Sequence, residues 1–309
     1  MAILVTPFSA PAEAWVAALR REFPGADIRP WPDVGERESI EFALVGVLPH
    51  GEIARLPRLA LIASMFAGQD MLLSDPTLPA ALPIVRTDDP EGDPMMAEFV
   101  LLHVLRHHRN MPAYARAQAV QRWGRLPQPR ASERRVGVMG LGPIGLRAAR
   151  TVKAAGFDVA GWTRRPRDLA DIPSFHGMPQ LNDFLRRTDI LVDLLPLTRE
   201  TDNLLDRERL GMLPRGASLI NVSRGQHVID RDLLDALDAE HLEAATLDVF
   251  RTEPLPAAHP FWTHPRITIT PHAARNLDVE GIVRRAAIQW RRLQQQQPLE
   301  HRVDRAAGY

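Results

Sequence analysis

A glycine-rich turn between a predicted strand and a predicted helix constrains the fold of this chain more than any other feature. The segment Gly140-Leu141-Gly142-Pro143-Ile144-Gly145 fits the pattern G-x-G-x-x-G, follows an apolar run at 136–139 and opens a helical pattern at 144–155. Glycines allow a tight turn and close backbone approach, so a pyrophosphate can reach the N–H groups at the positive end of the helix dipole. An ordinary turn is the alternative. We predict that these residues bind a dinucleotide.

The residues after this turn continue to alternate between strands and helices. Apolar runs separated by helical patterns are typical of βα units, and successive βα units build an open parallel sheet with helices on both faces. We therefore predict a doubly wound α/β fold for this part of the chain. The predicted strands are 136–139, 158–163, 190–194, 218–222, 244–249 and 267–270, and the predicted helices are 144–155 and 231–239.

The first hundred residues predict a second, smaller α/β unit with a parallel sheet. Residues 97–123 are helical in pattern and 124–129 form a loop, so a boundary lies near 96–100 or near 130. A helical stretch at 278–297 is long enough to leave the doubly wound unit and pack on the first one. The predicted strands of the small unit are 3–5, 42–47, 59–64 and 83–85, and its predicted helix is 12–23.

Composition excludes several classes of function. The 309 residues suffice for two modest domains, and 38 basic side chains balance 38 acidic ones, so no strong charge attracts nucleic acid or an anionic membrane. The chain has no cysteine, which removes disulfides and thiolate chemistry, and no histidine spacing indicates a metal site. The N-terminal residues lack a signal-peptide pattern, and no apolar run approaches the roughly 20 residues of a membrane span. We expect a cytoplasmic protein without nucleic-acid, membrane or metal partners.

The end of the strand at 158–163 indicates which dinucleotide is bound. An acidic residue about 20 positions after the glycine-rich turn would hydrogen-bond the ribose 2′-hydroxyl of NAD. The chain instead has Trp162-Thr163-Arg164-Arg165, and two guanidinium groups with a hydroxyl can pair with a 2′-phosphate. The alternative is that these are ordinary surface residues of an arginine-rich chain. We predict that these four residues contact the cofactor and that NADP(H) is preferred over NAD(H).

Three charged side chains follow predicted strands and therefore share one edge of the sheet. They are Arg224, Glu253 and His272. An arginine can hold a carboxylate or polarise a carbonyl, and a histidine paired with a carboxylate has the raised pKa and fixed tautomer that a general acid requires. The alternatives are a surface ion pair for Arg224 and a structural role for His272, since the chain has 11 histidines. We predict a catalytic set formed by these three residues.

Several segments, in this order, resemble those of the D-isomer-specific 2-hydroxyacid dehydrogenase family. They are the turn 140–145, the segment Asn221-Val222-Ser223-Arg224-Gly225, and residues 248–254 and 270–274. Within the family the chain is similar to the short glyoxylate/hydroxypyruvate reductase A type. Residues 162–164, 249–256 and 303–309 carry this closer similarity. The resemblance covers nearly the whole chain.

This resemblance implies a two-domain fold. A flavodoxin-like α/β substrate domain would comprise residues 1–98 and 276–309, and a Rossmann-type domain with a doubly wound parallel sheet, residues 99–275, would be inserted into it. The active site would lie in the cleft between the domains. Such enzymes are generally homodimers, joined here through residues 97–129, with Trp123 reaching towards the partner subunit.

The resemblance also implies roles for individual residues. His272 would be the proton donor, Glu253 would tune it, and Arg224 would orient a 2-keto acid, while Asp248 would lie near the nicotinamide carboxamide. The implied reaction is the NADPH-dependent reduction of small 2-keto acids, glyoxylate and hydroxypyruvate first, to D-2-hydroxy acids by hydride transfer. We also expect residues that follow two predicted strands to contact the cofactor: Leu195, Pro196, Val222 and Ser223.

Departures from the family's pattern concern the substrate. The loop that offers N–H groups to the substrate carboxylate usually reads Gly-Ala-Gly-Val-Asp, whereas this chain has Phe66-Ala67-Gly68-Gln69-Asp70. Gly46 stands where the reductase A type has an aromatic wall and would enlarge the pocket, and Arg275 would add a charge near the cleft. We expect Gly46 and residues Phe66, Ala67 and Gly68 to bind substrate. A bulkier 2-keto acid is one alternative, and a catalytically silent dinucleotide-sensing protein is another.

Overall fold

The computed structural model describes residues 1–87 and 93–308. It divides the chain into two compact units, Met1–Asp89 with Asn276–Tyr309, and Pro90–Arg275. Residues 88–92 of the predicted substrate domain, and Tyr309 of the segment 303–309, lie outside the described residues.

Strands and helices alternate along the described chain. The strands are β1 (Ala2–Val5), β2 (Asp27–Pro30), β3 (Ile40–Val45), β4 (Leu61–Ser64), β5 (Ile84–Arg86), β6 (Arg135–Met139), β7 (Asp158–Thr163), β8 (Ser174–His176), β9 (Ile190–Asp193), β10 (Ala217–Asn221), β11 (Leu242–Leu247) and β12 (Ile267–Ile269). The helices are α1 (Ala12–Glu22), α2 (Asp70–Leu73), α3 (Pro94–His108), α4 (Met111–Ala119), α5 (Pro143–Ala154), α6 (Gly177–Arg186), α7 (Arg207–Met212), α8 (Asp230–Asp238) and α9 (Val279–Gln294).

The boundary between the units falls before α3 rather than within it. The apolar face of this helix, including Val100 and Val104, packs into the core of the second unit with Val136 and Val138 of β6. A boundary after residue 98 would cut the helix, so the predicted position is wrong, and the whole of α3 belongs to the second unit.

A five-stranded parallel sheet forms the centre of the first unit. Its strand order, β2-β1-β3-β4-β5, is that of flavodoxin-like folds. Helices α1 and α9 pack together, and Trp15, Trp290 and Phe42 share one apolar cluster there. The terminal helix therefore packs on the first unit, as its length predicts. The sequence does not predict β2, because Asp27–Pro30 is a polar edge strand without apolar alternation.

A seven-stranded parallel sheet forms the centre of the second unit. Its order is β12-β11-β10-β9-β6-β7-β8, so the doubly wound α/β fold is confirmed. β6 lies between β7 and β9, which is the point where the strand order reverses. In open α/β sheets, ligands bind outside the carboxyl ends of the strands at such a switch point. The glycine-rich turn leaves β6 there.

Irregular backbone and short elements explain part of what the patterns in the second unit miss, and helices α6 and α7 are also absent from the predicted set. The predicted helix at 97–123 is two helices, α3 and α4, because Asn110 adopts a left-handed φ of 55° between them. β8 is a partly exposed edge strand of three residues, too short for a reliable alternation.

Three histidines of α3 point into the second unit instead of towards solvent. His103 packs its ring on Phe99 at 4.5 Å, and Nε2 of His107 lies 3.0 Å from Oγ1 of Thr246. Burial lowers the pKa of His103 to about 4 and that of His107 to about 3, and it also lowers the pKa of His108. These rings are therefore neutral parts of the core at neutral pH.

None of the helices in the described ranges combines the length and the apolar character that crossing a bilayer requires. Within residues 1–87 and 93–308, histidine and carboxylate side chains form no cluster of three or more that could hold a metal ion.

Candidate active site

The glycine-rich turn can be made only by glycines at its first and last positions. Gly140 has a left-handed φ of 89°, and a Cβ there would lie 2.6 Å from the carbonyl oxygen of Leu194. A Cβ at Gly145 would lie 1.7 Å from the carbonyl oxygen of Gly140. The backbone of β6 thus turns directly into α5 against the end of β9.

The middle of the turn leaves room for a ligand at the start of α5. A Cβ at Gly142 would meet nothing within 4 Å among the described residues, and no side chain caps the helix. Pro143 occupies the first turn, Ile144 is partly buried, and Leu141 is buried against Gly161. The exposed N–H groups of this helix end can therefore bind an anionic pyrophosphate, whereas Leu141 contributes packing.

The residues at the end of β7 divide into buried and accessible groups. The indole of Trp162 is buried and its Nε1 donates to the carbonyl oxygen of Gly177 at 2.9 Å, so this side chain supports the strand. The hydroxyl of Thr163 donates to the carbonyl oxygen of Arg165 at 2.7 Å. Arg164 is half-buried and Arg165 is exposed. Two guanidinium groups thus lie beside the end of β7, where the sequence predicts the 2′-phosphate.

Arg167 is a third guanidinium in this region that sequence reasoning misses. Its Nη1 donates to the carbonyl oxygen of Leu141 in the glycine-rich turn. The segment between β7 and β8 has no periodic pattern, so the sequence contains no signal that singles out this arginine. The structure shows that it links the glycine-rich turn to the segment after β7.

Hydroxyl side chains hold the loops that follow β9 and β10: one bond joins the two loops, and the other lies within the loop after β9. The hydroxyl of Ser223 donates to the carbonyl oxygen of Leu195, and the hydroxyl of Thr201 donates to that of Pro196 at 2.7 Å. Val222 is buried. These predicted cofactor residues therefore form one fixed edge beside the switch point.

A buried histidine–carboxylate pair lies beneath these loops, and the sequence analysis does not identify it. Nδ1 of His227 is 2.6 Å from Oδ2 of Asp193, and both side chains are fully buried. The other carboxylate oxygen accepts a hydrogen bond from Leu195 N–H at 3.0 Å, and His227 N–H donates to the carbonyl oxygen of Arg224 at 3.3 Å. An aspartate at the end of an apolar strand is the only sequence signal of this pair.

Arg224 is held in place through its backbone. Nδ2 of Asn221 donates to the carbonyl oxygen of Arg224 at 2.9 Å, and Oδ1 of Asn221 accepts from Ser223 N–H at 3.1 Å. A Cβ at Gly225 would lie 2.0 Å from the carbonyl carbon of Phe250, so this glycine allows the loops after β10 and β11 to touch. Gly225 therefore lies against the loop that leads to Glu253, and the charge of Arg224 acts on both Glu253 and His272.

His272 and Glu253 form the predicted pair. Nδ1 of His272 is 2.7 Å from Oε2 of Glu253, and Oε1 of Glu253 accepts from Phe250 N–H at 2.9 Å. His272 has a left-handed φ of 51°, an uncommon backbone state that is found at functional sites. The strand-end pattern thus brings these two residues together as predicted.

The pair shifts both pKa values towards the charged forms. The hydrogen bond to Glu253 raises the pKa of His272 and outweighs burial and the charge of Arg224, which lower it. For Glu253, burial raises the pKa, but the hydrogen bonds from His272 and Phe250 N–H and the charges of His272 and Arg224 together lower it. Protonated histidine beside ionised glutamate is therefore the favoured state.

The carboxylate of Asp248 binds the backbone turn that carries His272. Its carboxylate is fully buried and accepts hydrogen bonds from the Thr270 hydroxyl at 2.6 Å, Ala273 N–H at 2.8 Å and Ala274 N–H at 3.0 Å. The carbonyl oxygen of Asp248 also accepts from His272 N–H at 2.8 Å. Asp248 thus fixes the backbone turn that carries His272.

Arg275 forms an ion pair with Asp93, so it does not add the unpaired charge that the sequence analysis expects. Its Nη1 lies 3.4 Å from Oδ2 of Asp93, and both side chains are largely buried. The sequence cannot show this ion pair, because the two residues lie far apart along the chain.

In the first unit, the loop after β4 presents two backbone donors. Within the described part of the chain, the N–H groups of Ala67 and Gly68 donate no hydrogen bond. Nε2 of Gln69 donates to the carbonyl oxygen of Phe66 at 2.6 Å, and the Phe66 ring packs edge-on against Phe8 at 5.0 Å. The loop is therefore held by its flanks while its central amides stay available.

Gly46 does not simply leave space where an aromatic residue is expected. A Cβ there would lie 3.1 Å from Sδ of Met65 and 3.2 Å from Cβ of Phe8, so these two side chains close that direction. Gly46 N–H donates to Oγ1 of Thr6 at 2.6 Å, and the glycine also lines a cavity of about 120 Å³. The enlargement of the substrate pocket at Gly46 stays a prediction, and this cavity is the space that it would use.

The second unit matches a known protein family. Residues 101–274 fit the family model described as D-isomer specific 2-hydroxyacid dehydrogenase, NAD binding domain. The chain is 40% identical over 268 residues to a glyoxylate/hydroxypyruvate reductase A from Serratia proteamaculans, which covers 85% of both chains. It is 34% identical over 309 residues to a protein of the same name from Klebsiella pneumoniae, covering 98% of this chain and 96% of that one.

Solved structures agree with this assignment. A D-isomer specific 2-hydroxyacid dehydrogenase from Xanthobacter autotrophicus, in complex with NADPH and MES, has a TM-score of 0.94 at 40% identity, covering 100% of this chain and 99% of that one. An NADPH-dependent glyoxylate/hydroxypyruvate reductase from Sinorhizobium meliloti, in complex with NADP and sulfate, has a TM-score of 0.91 at 36% identity and the same coverage. The sequence matches, the fold and the geometry of the second unit together show that this chain belongs to the D-isomer specific 2-hydroxyacid dehydrogenase family of oxidoreductases.

Proposed function

We propose that this protein reduces small 2-keto acids to D-2-hydroxy acids with NADPH, and that glyoxylate and hydroxypyruvate are the first substrates to test. The observation that carries the proposal is the pair of His272 and Glu253, 2.7 Å apart, with Arg224 near enough to act on both pKa values. The names of the similar reductases support the choice of substrates.

His272 is the proton donor in this proposal. Its Nδ1 is bound to Glu253, so Nε2 is the ring nitrogen that can donate to the carbonyl oxygen of the substrate. The hydrogen bond to Glu253 raises the pKa of His272 and so favours the protonated ring that a proton donor needs. Because reduction consumes this proton, its rate falls as the pH rises through the raised pKa.

Each unit offers donors for the carboxylate of a 2-keto acid. The planar guanidinium of Arg224 can bind it through two parallel hydrogen bonds, and the N–H groups of Ala67 and Gly68 supply further donors. Such positioning supplies a large part of the rate in reactions of this kind. Bound NADPH supplies the hydride for the carbonyl carbon.

The same proposal assigns the cofactor contacts. The helix end at Gly142 binds the pyrophosphate, and Arg164 and Arg165 bind the 2′-phosphate with the hydroxyl of Thr163. Arg167 supports this site from the glycine-rich turn. The edge formed by residues 195–196 and 222–223 faces the nicotinamide. The similar protein from Xanthobacter autotrophicus was solved with NADPH and that from Sinorhizobium meliloti with NADP, which supports NADP(H) over NAD(H).

The test is the initial rate of NADPH and NADH oxidation with glyoxylate and hydroxypyruvate. We compare the wild type with His272→Ala and with the control His264→Ala, which removes a ring paired with Asp238 instead of with Glu253. We expect His272→Ala to lose about 10²- to 10⁴-fold in rate and the control to keep wild-type activity. An unchanged rate in His272→Ala would remove this residue from the mechanism. NADPH binding without turnover of any 2-keto acid would favour the dinucleotide-sensing alternative.

We also propose that the chain forms a homodimer through residues 97–129. Trp123 is 100% exposed, Val120 is 72% exposed and Leu102 of α3 is 57% exposed, which is an unusual concentration of apolar surface for a monomer. Light scattering on the purified protein measures the mass directly, and we expect twice that of the chain. A wild-type mass of one chain at micromolar concentration would refute the dimer. A lower mass in Trp123→Ser alone would show that this side chain supports it.

A further inference from the structure

The first unit contains a cavity of about 120 Å³ at the carboxyl edge of its sheet. Val45 ends β3 beside Ser64 of β4, and Met65 N–H donates to the carbonyl oxygen of Val45 at 2.8 Å. Ligands of parallel α/β sheets bind at this edge. The residues that line the cavity are Val45, Gly46, Leu48, His50, Met71, Leu72 and Ser74.

The cavity wall and the predicted carboxylate-binding loop are parts of one continuous segment. α2 begins at Asp70, directly after the loop, and carries Met71 and Leu72 of the wall. The side chain of Gln69 holds the carbonyl oxygen of Phe66, and Leu73 N–H donates to the carbonyl oxygen of Gln69 at 2.8 Å. The loop that is proposed to bind the carboxylate therefore continues directly into the wall of the cavity.

The lining is mostly apolar, with one polar pair. The hydroxyl of Ser74 donates to the carbonyl oxygen of Met71 at 2.8 Å, so its oxygen can accept from Nε2 of His50 at 3.2 Å. These polar groups are satisfied by each other and do not demand a charged ligand. An enclosed apolar cavity of about 150 Å³ holds a benzene molecule, so a volume of about 120 Å³ is large enough for about four carbon atoms. This cavity is open on one side, because His50, Met71 and Ser74 of its lining are exposed.

We propose that this cavity is the subsite for the side chain of the substrate, and that it selects 2-keto acids with a linear aliphatic chain of two to four carbons. The inference rests on the proposed function, because it needs the 2-keto carboxylate at the Ala67 and Gly68 amides. Phe8 and Met65 occupy the direction in which a Cβ of Gly46 would point. In this proposal the aliphatic chain of the substrate therefore enters the cavity along the backbone of Gly46, towards Leu72.

The experiment is a series of steady-state rates with NADPH and pyruvate, 2-oxobutyrate, 2-oxopentanoate and 2-oxohexanoate, with glyoxylate as the substrate that has no side chain. Each buried carbon should raise kcat/KM roughly fourfold until the cavity is full. Leu72→Phe and Ser74→Leu place extra carbons in the cavity, and Ser74→Ala removes the hydroxyl without filling space. We expect the two filling variants to abolish the increase along the series while Ser74→Ala and the glyoxylate rate stay near wild type.

The outcomes separate this inference from the proposed function. The wild type could turn over glyoxylate while its kcat/KM stays flat or falls from pyruvate to 2-oxohexanoate. That result would overturn the subsite and leave the proposed function intact. The subsite would also be overturned if the filling variants lowered kcat/KM by the same factor for every substrate, including glyoxylate. Absence of turnover with every 2-keto acid would overturn both.

Discussion

Two of the histidine–carboxylate pairs in the second unit have nearly the same length. The pair of His272 and Glu253 measures 2.7 Å, and that of His227 and Asp193 measures 2.6 Å. The His272 side chain is 53% exposed, whereas both side chains of the other pair are fully buried. The geometry of the hydrogen bond alone therefore does not decide what such a pair does.

The neighbours of each pair account for the difference. His272 stands on a backbone turn fixed by Asp248 and faces the charge of Arg224, so its second ring nitrogen can meet a ligand. Asp193 and His227 instead bind backbone groups of the loops that carry Leu195 and Arg224. A proton donor must be within reach of the substrate, whereas the buried pair can only fix the backbone of the loops that it binds.

The largest expected effect concerns the buried pair. His227→Ala leaves the Asp193 carboxylate buried with only the Leu195 N–H as a described partner, so we expect a loss of about 3–5 kcal/mol in the free energy of unfolding. His272→Ala exposes its partner to water and should leave the free energy of unfolding nearly unchanged. Urea unfolding of both variants at pH 7 measures the difference. Equal losses in the two variants would break the comparison.

The buried histidines of α3 extend the comparison to rings that have no hydrogen-bonded carboxylate among the described residues. Their pKa values in the folded protein, about 4 for His103 and about 3 for His107, lie below the unfolded value of about 6.5. Below pH 6.5 the unfolded chain therefore binds protons that the folded chain does not. At pH 5 each ring should cost up to about 2 kcal/mol of stability.

Urea unfolding at pH 7 and pH 5 measures this acid sensitivity. We expect His103→Phe with His107→Gln to reduce the loss of stability between the two pH values, whatever the variants do at pH 7. The exposed residue His301 provides the control His301→Gln, which should keep the wild-type loss. An unchanged loss in the double variant would show that other groups carry the acid sensitivity.

The smallest expected effect concerns the tuning of His272. Glu253→Gln removes the charge that raises the pKa of His272, so the decline of the reduction rate should begin at lower pH, and the rate at pH 8 should fall below that of the wild type. Asp193→Asn makes the same change in the buried pair and should not move the midpoint of the pH profile. Rates between pH 5 and pH 9 test this, and an equal shift in both variants would contradict it.

The sequence predicts most strands of the second unit and the candidate catalytic residues because these features are local. The glycine-rich turn, the strand ends and the polar residues after them can be recognised within a few positions of each other. The pairing of Glu253 with His272 follows as soon as the strands are placed in one parallel sheet.

Long-range partners explain where the predictions stop. Asp248 fixes the turn at Ala273 and Ala274, and Arg275 pairs with Asp93, because residues distant in sequence meet in the folded core. The space at Gly46 depends on Phe8 and Met65 in the same way. No pattern within a single segment records these contacts.

The sequence by itself determined the doubly wound fold, the dinucleotide-binding turn, the family and the identity of the three catalytic candidates, since spacing along the chain encodes each of them. Only the tertiary structure decided which histidine–carboxylate pair is accessible, which arginine charge is already paired and where the cavity at Gly46 lies. Burial and close packing are properties of surfaces that meet in space, and the order of residues does not state which surfaces will meet.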